Sequence, residues 1–494
     1  MAVLRVCRGS GTCEDEMILR LNKYGVDTGT LTGAGSVSES IANGYDYDYY
    51  ISPTGNNGAN GLTPSTPWKT FAYAFTQMSG GDVLGLLNGT YSAAAGTGTI
   101  DWDDGANSSN EIPNGSGKSD MTVIAAVNGP GNVTINNMLF VGRTAREDKY
   151  IKFDGITFEG GGRLFNFQYI YLKNCGFHRT TQSAGPVLSI GDSDIADNSY
   201  ALIEDCWVWG QERLPVIFYQ SHHSIARRVV IRRDGLTVTY PYNPVVGVTV
   251  YYSYDTILQN VICVDGLTGS GMTAWPYADF ATAQHDSQRS HGDNSWHGCA
   301  SLNSPDRGFY FEADAYNQTI TGDLSNCVVV NPASGGIDVG GGNGNGQKWD
   351  VEKCTVLINN SGQDALRIDP DVNASGRICR SIICKGNPNG RFGCNSLNVP
   401  SYTDVYGTWA ESAYNQTTCS TGCQTYDPEA NGLLYPFRVE AASNLVTAGH
   451  GGGPLGATIY YKHGTTGAFH GDSGYDTLSG DNLWPWPNED VIRT

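Results

Sequence analysis

The sequence is poor in charged residues: Asp, Glu, Lys and Arg make up 16% of its 494 residues, against a usual share of about 25%. Acidic residues outnumber basic ones by 49 to 30, which gives a formal net charge of −19. A broad polyanion-binding surface is therefore excluded, and with it a nucleic-acid partner. The scattered aspartates are compatible with bound Ca²⁺, although composition alone favours ordinary solubility as their explanation.

Long apolar runs and metal-binding cysteine motifs are also missing. No stretch approaches the roughly 18 apolar residues of a membrane-spanning helix, and residues 1–5 have no signal-peptide pattern. If the protein is secreted or displayed at the cell surface, its signal is absent from this sequence. None of the 13 cysteines lies in a CxxC pair, which argues against a zinc or haem motif.

What the sequence does contain is glycine, 64 residues of it, and two types of short apolar run that alternate along the chain. In the first type a polar pair precedes the run, and Cys299, Cys327 and Cys354 follow one another at steps of 28 and 27 residues. The second type has a similar period, and its members are 188–190, 216–218, 248–250, 309–311, 337–339 and 366–368. One further member is expected near 272–275.

A repeat of this length indicates a solenoid, and the lack of helices between the runs argues against βαβ units. The sequence therefore predicts an all-β chain that forms a right-handed parallel β-helix. Five cysteines occupy one position of the repeat: Cys175, Cys206, Cys299, Cys327 and Cys354. They predict an interior column in which each thiol packs as a small hydrophobe, the alternative being a metal or redox ladder.

Two cysteine pairs lie outside the repeat and are candidates for disulfides: Cys7 with Cys13, and Cys419 with Cys423.

The first type of run also has apolar outward-facing residues, among them Trp207, Val230 and Ile262. Such a face should not meet water over many coils. We expect a loop, the C-terminal region or a partner to cover it, and self-association through it is the alternative use.

The segment before the repeats reads as the entry to a solenoid. It contains Tyr50 to Gly55, Pro67 to Thr70, the amphipathic stretch 71–78, Gly81-Asp82-Val83 and Asn88 to Tyr91. This segment resembles the entry of bacterial secreted right-handed parallel β-helix proteins of the pectate-lyase-like superfamily, and with the coils the resemblance covers about residues 48–390. It implies that a short N-terminal helix caps the core, because an open solenoid end exposes core and strand edges.

The predicted organisation has three parts. An N-terminal extension covers 1–47, the capped β-helix covers 48–395, and an irregular C-terminal region covers 396–494 and packs on or extends the solenoid.

Outward residues of the second run type suggest a groove for a polysaccharide, because aromatic rings stack on sugar faces while polar groups bind hydroxyls. The candidate substrate-binding residues are Tyr219, Tyr251, Tyr310 and, in the long coil 264–298, Trp275. The candidate metal ligands are the turn residues Asp192, Asp194 and Asp314, which offer the oxygen atoms that Ca²⁺ prefers. The alternative is an ordinary solvated face.

Two reactions fit this face. For a hydrolase, Glu312 and Asp369 share a column two coils apart, roughly 10 Å, close to the separation of about 6.5–9.5 Å in inverting enzymes. Asp338 lies beside Arg367 on the next coil, where a surface ion pair is the alternative. The β-helix polygalacturonases are rejected because their Asp-Asp and Gly-His-Gly motifs occur here only outside the coils, at 103–104 and 449–451.

For a lyase, β-elimination from a uronate needs a base for the C5 proton and a cation that neutralises the carboxylate. The pectate lyases that this chain resembles use an Arg or Lys base with Ca²⁺. The candidate bases are Arg232, Arg233 and Arg367.

Separately, His285, His291 and His297 with two aspartates of the coil 264–298 could hold a metal, although their spacing matches no fixed ligand pattern.

The leading hypothesis is a secreted carbohydrate-binding or polysaccharide-degrading β-helix protein, with a Ca²⁺-dependent uronate lyase as its sharpest form. A lyase is favoured over a glycoside hydrolase. The rival is a non-catalytic surface, adhesin or filament-forming protein that uses the solenoid as a rod.

Overall fold

The structure is a computed structural model. It describes residues 5–8, 12–15, 44–100, 111–142, 146–179, 185–191, 198–210, 213–233, 246–265, 278–283, 294–312, 321–341, 348–358, 364–368, 379–380, 382–385, 392–393, 401–406, 421–425, 427–428, 430, 433 and 436–492.

Three long parallel sheets are formed between Tyr49 and Tyr406, and from Thr122 to Gly393 the described strands pass through sheet 1, sheet 2 and sheet 3 in turn. Sheet 1 contains Tyr49–Ile51, Val83–Leu86, Thr122–Ala126, Asp148–Asp154, Phe167–Lys173, Asn198–Glu204, Ser221–His222, Ile225–Arg227, Ile257–Gln259, Asn294–His297, Thr321–Ser325, Lys348–Glu352 and Cys379–Arg380. Sheet 2 contains Gly89–Tyr91, Val133–Ile135, Ile156–Phe158, Gly176–Arg179, Trp207–Gly210, Val230–Arg232, Ile262–Val264, Ala300–Leu302, Val328–Val330, Thr355–Leu357, Ile383–Lys385 and Asp404–Tyr406. Sheet 3 contains Leu139–Val141, Gly162–Leu164, Pro186–Ile190, Leu214–Tyr219, Val246–Tyr251, Ala278–Ala283, Arg307–Glu312, Gly335–Gly341, Asp364–Ile368 and Phe392–Gly393. This topology confirms the predicted parallel β-helix.

The other elements lie outside these sheets. They are the antiparallel pairs Arg5–Arg8 with Thr12–Asp15 and Tyr461–His463 with Leu478–Asn482, the helices Phe71–Gln77 and Glu489–Ile492, and the 3₁₀ turns Asn444–Val446 and His450–Gly452. No helix among the described residues is long and apolar enough to cross a membrane.

A left-handed residue forms the corner between sheets 1 and 2 in successive coils. Asn174, Asp205, Asn260 and Asn326 all have φ between 51° and 57° there. Asn and Asp tolerate this conformation better than most side chains do. The polar pairs seen in the repeat are therefore corners, and the residue after each corner turns into the core.

The cysteine column follows directly from these corners. Cys175, Cys206, Cys299, Cys327 and Cys354 come just after them, are fully buried and carry thiols rather than disulfides. Valines 229 and 261 fill the same position on the two intervening coils. Burial raises the pKa of the Cys206 and Cys327 thiols well above the usual value, so these groups stay protonated and pack as small hydrophobes.

The helix Phe71–Gln77 closes the N-terminal end of the core. The hydroxyl of Thr70 accepts a hydrogen bond from the amide of Tyr73 and caps the first turn, while Phe71, Ala74 and Phe75 face inward. This confirms the predicted helical cap.

One predicted strand position is wrong. The missing member of the second run type is Ala278–Ala283, not 272–275, and it pairs with Val246–Tyr251 and Arg307–Glu312. The error arose because this strand has only one large inward side chain, Phe280. Its other apolar positions are alanines, which give a weak strand signal in the sequence.

The C-terminal region covers the outward faces of sheets 1 and 2. Phe437, Ile459, Leu483 and Trp486 pack on the apolar face of sheet 2, which includes Trp207, Val230, Ile262, Leu302 and Val328. Phe469 packs on Tyr171, Leu202, Ile225 and Ile257 of sheet 1. The expected cover of the apolar face is thus supplied by the chain itself.

Candidate functional site

Sheet 3 presents the outward face on which the candidate site lies. Its apolar outer cluster consists of Leu214, Val246, Ala278, Ala281 and Tyr310, all from sheet 3 itself. In the described part of the chain, no C-terminal residue belongs to this cluster, unlike those on sheets 1 and 2. Parallel pairing aligns Thr249, Ala281, Tyr310, Asp338 and Arg367 in one outward column.

Two arginines converge on one carboxylate in this column. The Nε of Arg307 lies 3.1 Å and the Nη1 of Arg367 lies 3.3 Å from the same Oδ2 of Asp338. Arg307 also pairs with Asp306 at 3.2 Å, and its guanidinium lies 5.1 Å from the centre of the Tyr310 ring. We call Arg307, Tyr310, Asp338 and Arg367 the arginine patch.

The two arginines of the arginine patch are more exposed to solvent than its one carboxylate. The side chains of Arg307 and Arg367 are 27% and 26% exposed, whereas that of Asp338 is 8% exposed. Burial raises the pKa of Asp338 against the lowering effect of Arg367 and Arg307. Because the carboxylate lies beneath the guanidiniums, Arg307 and Arg367 are the more exposed charged groups of the patch.

Three tyrosines form a second group nearer the N-terminal end of the same sheet. Tyr219 and Tyr251 are opposite each other in neighbouring strands, with ring centres 5.1 Å apart. Tyr252 lies against both, 5.9 Å from Tyr219 and 4.2 Å from Tyr251. We call these residues the tyrosine patch. Four coil steps separate Tyr251 from Arg367, roughly 19 Å along the axis.

The other two candidate bases lie away from the arginine patch. Arg232 belongs to sheet 2, where its guanidinium donates to the carbonyl of Ile492 in the C-terminal region. Arg233 is buried and donates to the carbonyl of Val246. Neither therefore lies with the arginine patch, and of the three proposed bases only Arg367 does.

Several predicted site residues are not among those that the structure describes. Trp275, Asp192, Asp194, Asp314, Asp369, His285 and His291 lie outside the described residues. Glu312 ends its strand opposite Gly341, after an irregularity in the register. Arg307 was missed in the sequence, although a cation two residues before the apolar run 309–311 was a usable signal.

Calcium does not fit the described residues of this face. Asp338 already accepts from two guanidiniums. In the described ranges, one group of His, Cys, Asp or Glu side chains is close enough to share a cation, and two of its three members are histidines, whereas Ca²⁺ takes oxygen ligands. The predicted ligands Asp192, Asp194 and Asp314 lie outside the described residues, so the calcium site stays a prediction.

A buried carboxyl beside the base candidate Arg233 has an unusual proton affinity. Burial raises the pKa of Asp279 to about 7, against hydrogen bonds from Ser301 and Ser304 and the charge of Arg233. Burial likewise lowers the pKa of Arg233 to about 10. Ser301 donates to Asp279 at 2.6 Å. The group lies within the wall of the solenoid, so it bears on stability rather than on ligand binding.

Asp279 should therefore make stability depend on pH. The folded chain holds a proton that the unfolded chain loses from about pH 4 upward, so the contribution of Asp279 is complete below pH 4 and is lost as the pH rises to 7. We expect the unfolding free energy of the wild type, minus that of Asp279→Asn, to fall by up to about 1.4 kcal/mol per pH unit across this window. Urea unfolding at pH 5, 6 and 7 measures it, and parallel pH profiles would contradict it.

Comparisons with known proteins return structures but no relatives in sequence. No protein-family model and no curated protein sequence matches this chain. Among solved structures it is similar to pectate lyase Pel9A, with 16% identity and a TM-score of 0.34, over 84% of this chain and 96% of that chain. It is also similar to XylC in complex with xylose, with 9% identity and a TM-score of 0.38, over 77% and 86% of the two chains. A third is the A-module of the Azotobacter vinelandii mannuronan C-5 epimerase AlgE6, with 11% identity and a TM-score of 0.36, over 72% and 93%. At these values the similarity assigns no activity, and the fold rests on the strand pairing.

Proposed function

We propose that this chain is a secreted protein that binds an acidic polysaccharide along the outward face of sheet 3. The observation that carries the proposal is the arginine patch, in which two partly exposed guanidiniums lie over a buried carboxylate. Guanidiniums bind carboxylates through paired, charge-assisted hydrogen bonds. A uronate carboxylate is a ligand of this kind, and the two guanidiniums act locally, because the net charge of −19 opposes binding of a polyanion over the rest of the surface.

The tyrosine patch supplies the second contact. Its three rings lie on the same face, displaced along the axis toward the N-terminal end. Tyrosine combines an apolar ring with a hydroxyl that finds polar partners, a combination suited to sugars. A glycan parallel to the axis would meet rings first and guanidiniums about four coils later.

The face is better suited to holding a uronate than to removing its C5 proton. An arginine acts as a base only when it is neutral, and arginine side chains in proteins are charged at neutral pH. Elimination would require a base positioned on the bound sugar, with Arg307 or Arg367 neutralising the carboxylate. Uronate cleavage is therefore the finer form of the proposal, and it is tested together with binding.

The rod-like rival loses its main support. The apolar outer face that suggested assembly is covered by Phe437, Ile459, Leu483 and Trp486 of the same chain. Filaments of the purified chain in electron micrographs would restore it.

A panel of neutral and uronate-containing polysaccharides tests the proposal. We expect at least one uronan to retard the chain in affinity electrophoresis, and neutral glycans of similar size to retard it less, because only uronates offer carboxylates to the arginine patch. The same samples, with and without chelator, are followed for absorbance of the unsaturated product of β-elimination. Retardation by no uronan would contradict binding, and binding without product would remove the lyase form alone.

A further inference from the structure

The last residues of the sheet 1 strands form a column of polar side chains that holds the C-terminal region. Strand pairing aligns Glu204, Arg227, Gln259, His297, Ser325, Glu352 and Arg380 in this column. Arg227 donates to the carbonyl of Ala468 at 2.7 Å, and Gln259 donates to the carbonyl of Tyr475 at 2.9 Å. Polar contacts thus attach the C-terminal region to the coils beside its apolar packing on sheets 1 and 2.

Three metal-ligating side chains meet at one point of this attachment. His297 comes from the polar column, His463 from the strand Tyr461–His463, and Asp476 from the turn that leads to the strand Leu478–Asn482. One ligand atom from each lies within 4.8 Å of the others. The Nε2 atoms of His297 and His463 are 3.4 and 3.1 Å from the same Oδ1 of Asp476.

We propose that His297, His463 and Asp476 bind a borderline divalent cation such as Zn²⁺, which ties the C-terminal hairpin to the coils. Ligand atoms about 2.1 Å from a tetrahedral ion lie roughly 3.4 Å apart, close to the two separations seen here. Two imidazoles and one carboxylate form a ligand set typical of zinc with one open position. The site does not depend on the proposed glycan-binding face.

The surroundings of the three ligands fit a metal site. The Nδ1 of His297 is 2.6 Å from the hydroxyl of Ser325 and 3.7 Å from Asp323, so its second nitrogen has the partners that usually orient a ligating histidine. Gln259 donates to Oδ1 of Asp476 at 2.9 Å and orients the carboxylate.

The two imidazole rings need a small rearrangement to share an ion. They are stacked, with planes 6° apart and centres 4.6 Å apart, so their nitrogen lone pairs are parallel rather than convergent. The His463 side chain is 17% exposed against 10% for His297, and it lies on the short hairpin. We therefore expect the His463 ring to turn toward the ion.

The test uses the full chain after removal of metals by chelation. We expect calorimetric titration with Zn²⁺ to give one ion per chain, and Co²⁺ to show the visible absorption of a site with nitrogen and oxygen ligands. His463→Ala and Asp476→Asn should each weaken binding at least tenfold. His450→Ala, which removes an exposed histidine of the same region, should leave it unchanged.

Thermal unfolding gives an independent readout. A cation that binds only the folded chain raises Tm as its concentration increases, so Zn²⁺ should raise the Tm of the wild type and of His450→Ala but not that of Asp476→Asn. Circular dichroism establishes that each variant retains its β structure. The proposal is overturned if the wild type binds no Zn²⁺, or if His463→Ala and Asp476→Asn bind it as tightly as the wild type does.

Discussion

Replacing Glu204 by alanine is expected to lower the free energy of unfolding by about 3–5 kcal/mol, the usual cost of removing one member of a buried ion pair. Glu204 and both neighbouring guanidiniums, those of Arg227 and Arg228, are fully buried. Glu204 also accepts from the hydroxyl of Tyr171 and from the amide of Gly467 at 3.2 Å. Without the carboxylate, buried cations and a buried hydroxyl lose their partner at the place where the C-terminal region is attached.

The pKa of Glu204 agrees with its role as the ionised partner of two buried arginines. Burial alone would raise its pKa, but Arg228, Arg227 and the Tyr171 hydroxyl together hold it below the usual value. The carboxylate is therefore charged at neutral pH, and Glu204→Gln, which keeps the shape but not the charge, should show a smaller loss than Glu204→Ala.

Glu352 provides a matched control, because it occupies the same column of sheet 1. Its side chain is 22% exposed and pairs with Arg380 at 3.3 Å. A partly exposed pair contributes only about 0–1 kcal/mol, so Glu352→Ala should lower the free energy of unfolding by no more than that. Urea unfolding of the two alanine variants measures both values. Equal losses of unfolding free energy would contradict the claim that burial makes the Glu204 ion pairs contribute more than the pair of Glu352.

The second large effect is expected on ligand binding. Arg367→Ala should weaken binding of the uronan identified in the panel about tenfold or more, since a central arginine of an interface commonly contributes about 1.4–2 kcal/mol. The double variant Arg307→Ala with Arg367→Ala should lose more, because it leaves the buried Asp338 without either cation. Binding of a neutral glycan should change little.

Arg163 offers the control for this experiment. It lies in the same outward column as Arg367, seven coil steps earlier, roughly 34 Å at the spacing of parallel strands. Arg163→Ala should leave the affinity for a short oligouronate unchanged. If Arg163→Ala weakens binding as much as Arg367→Ala does, the effect is one of overall charge and the arginine patch is not the site.

The sequence repeat predicted most of the fold, because each coil contributes its own inward-facing residues to the core. The cysteine column and the pairing of Tyr310, Asp338 and Arg367 depend on residues within one or two coils of each other, and the period places them. The cap lies before the repeats and was predicted from the resemblance of the entry segment. The strand Ala278–Ala283 was misplaced because small inward residues give a weak apolar signal.

The contacts of the C-terminal region could not be predicted in the same way. His463 and Asp476 lie 166 and 179 residues after His297, outside the repeat, and no period relates them. The sequence indicated only that an apolar face needed a cover. Arg307 was overlooked for a related reason: its long side chain reaches Asp338 of the next coil, which register alone does not show.

The structure of the full chain with a bound oligouronate tests the central claim most directly. The glycan should lie along the outward face of sheet 3, with one carboxylate within hydrogen-bonding distance of Arg307 or Arg367 and a sugar ring against Tyr219 or Tyr251. An oligouronate seated instead on the C-terminal region or on the outward face of sheet 1 would contradict the account.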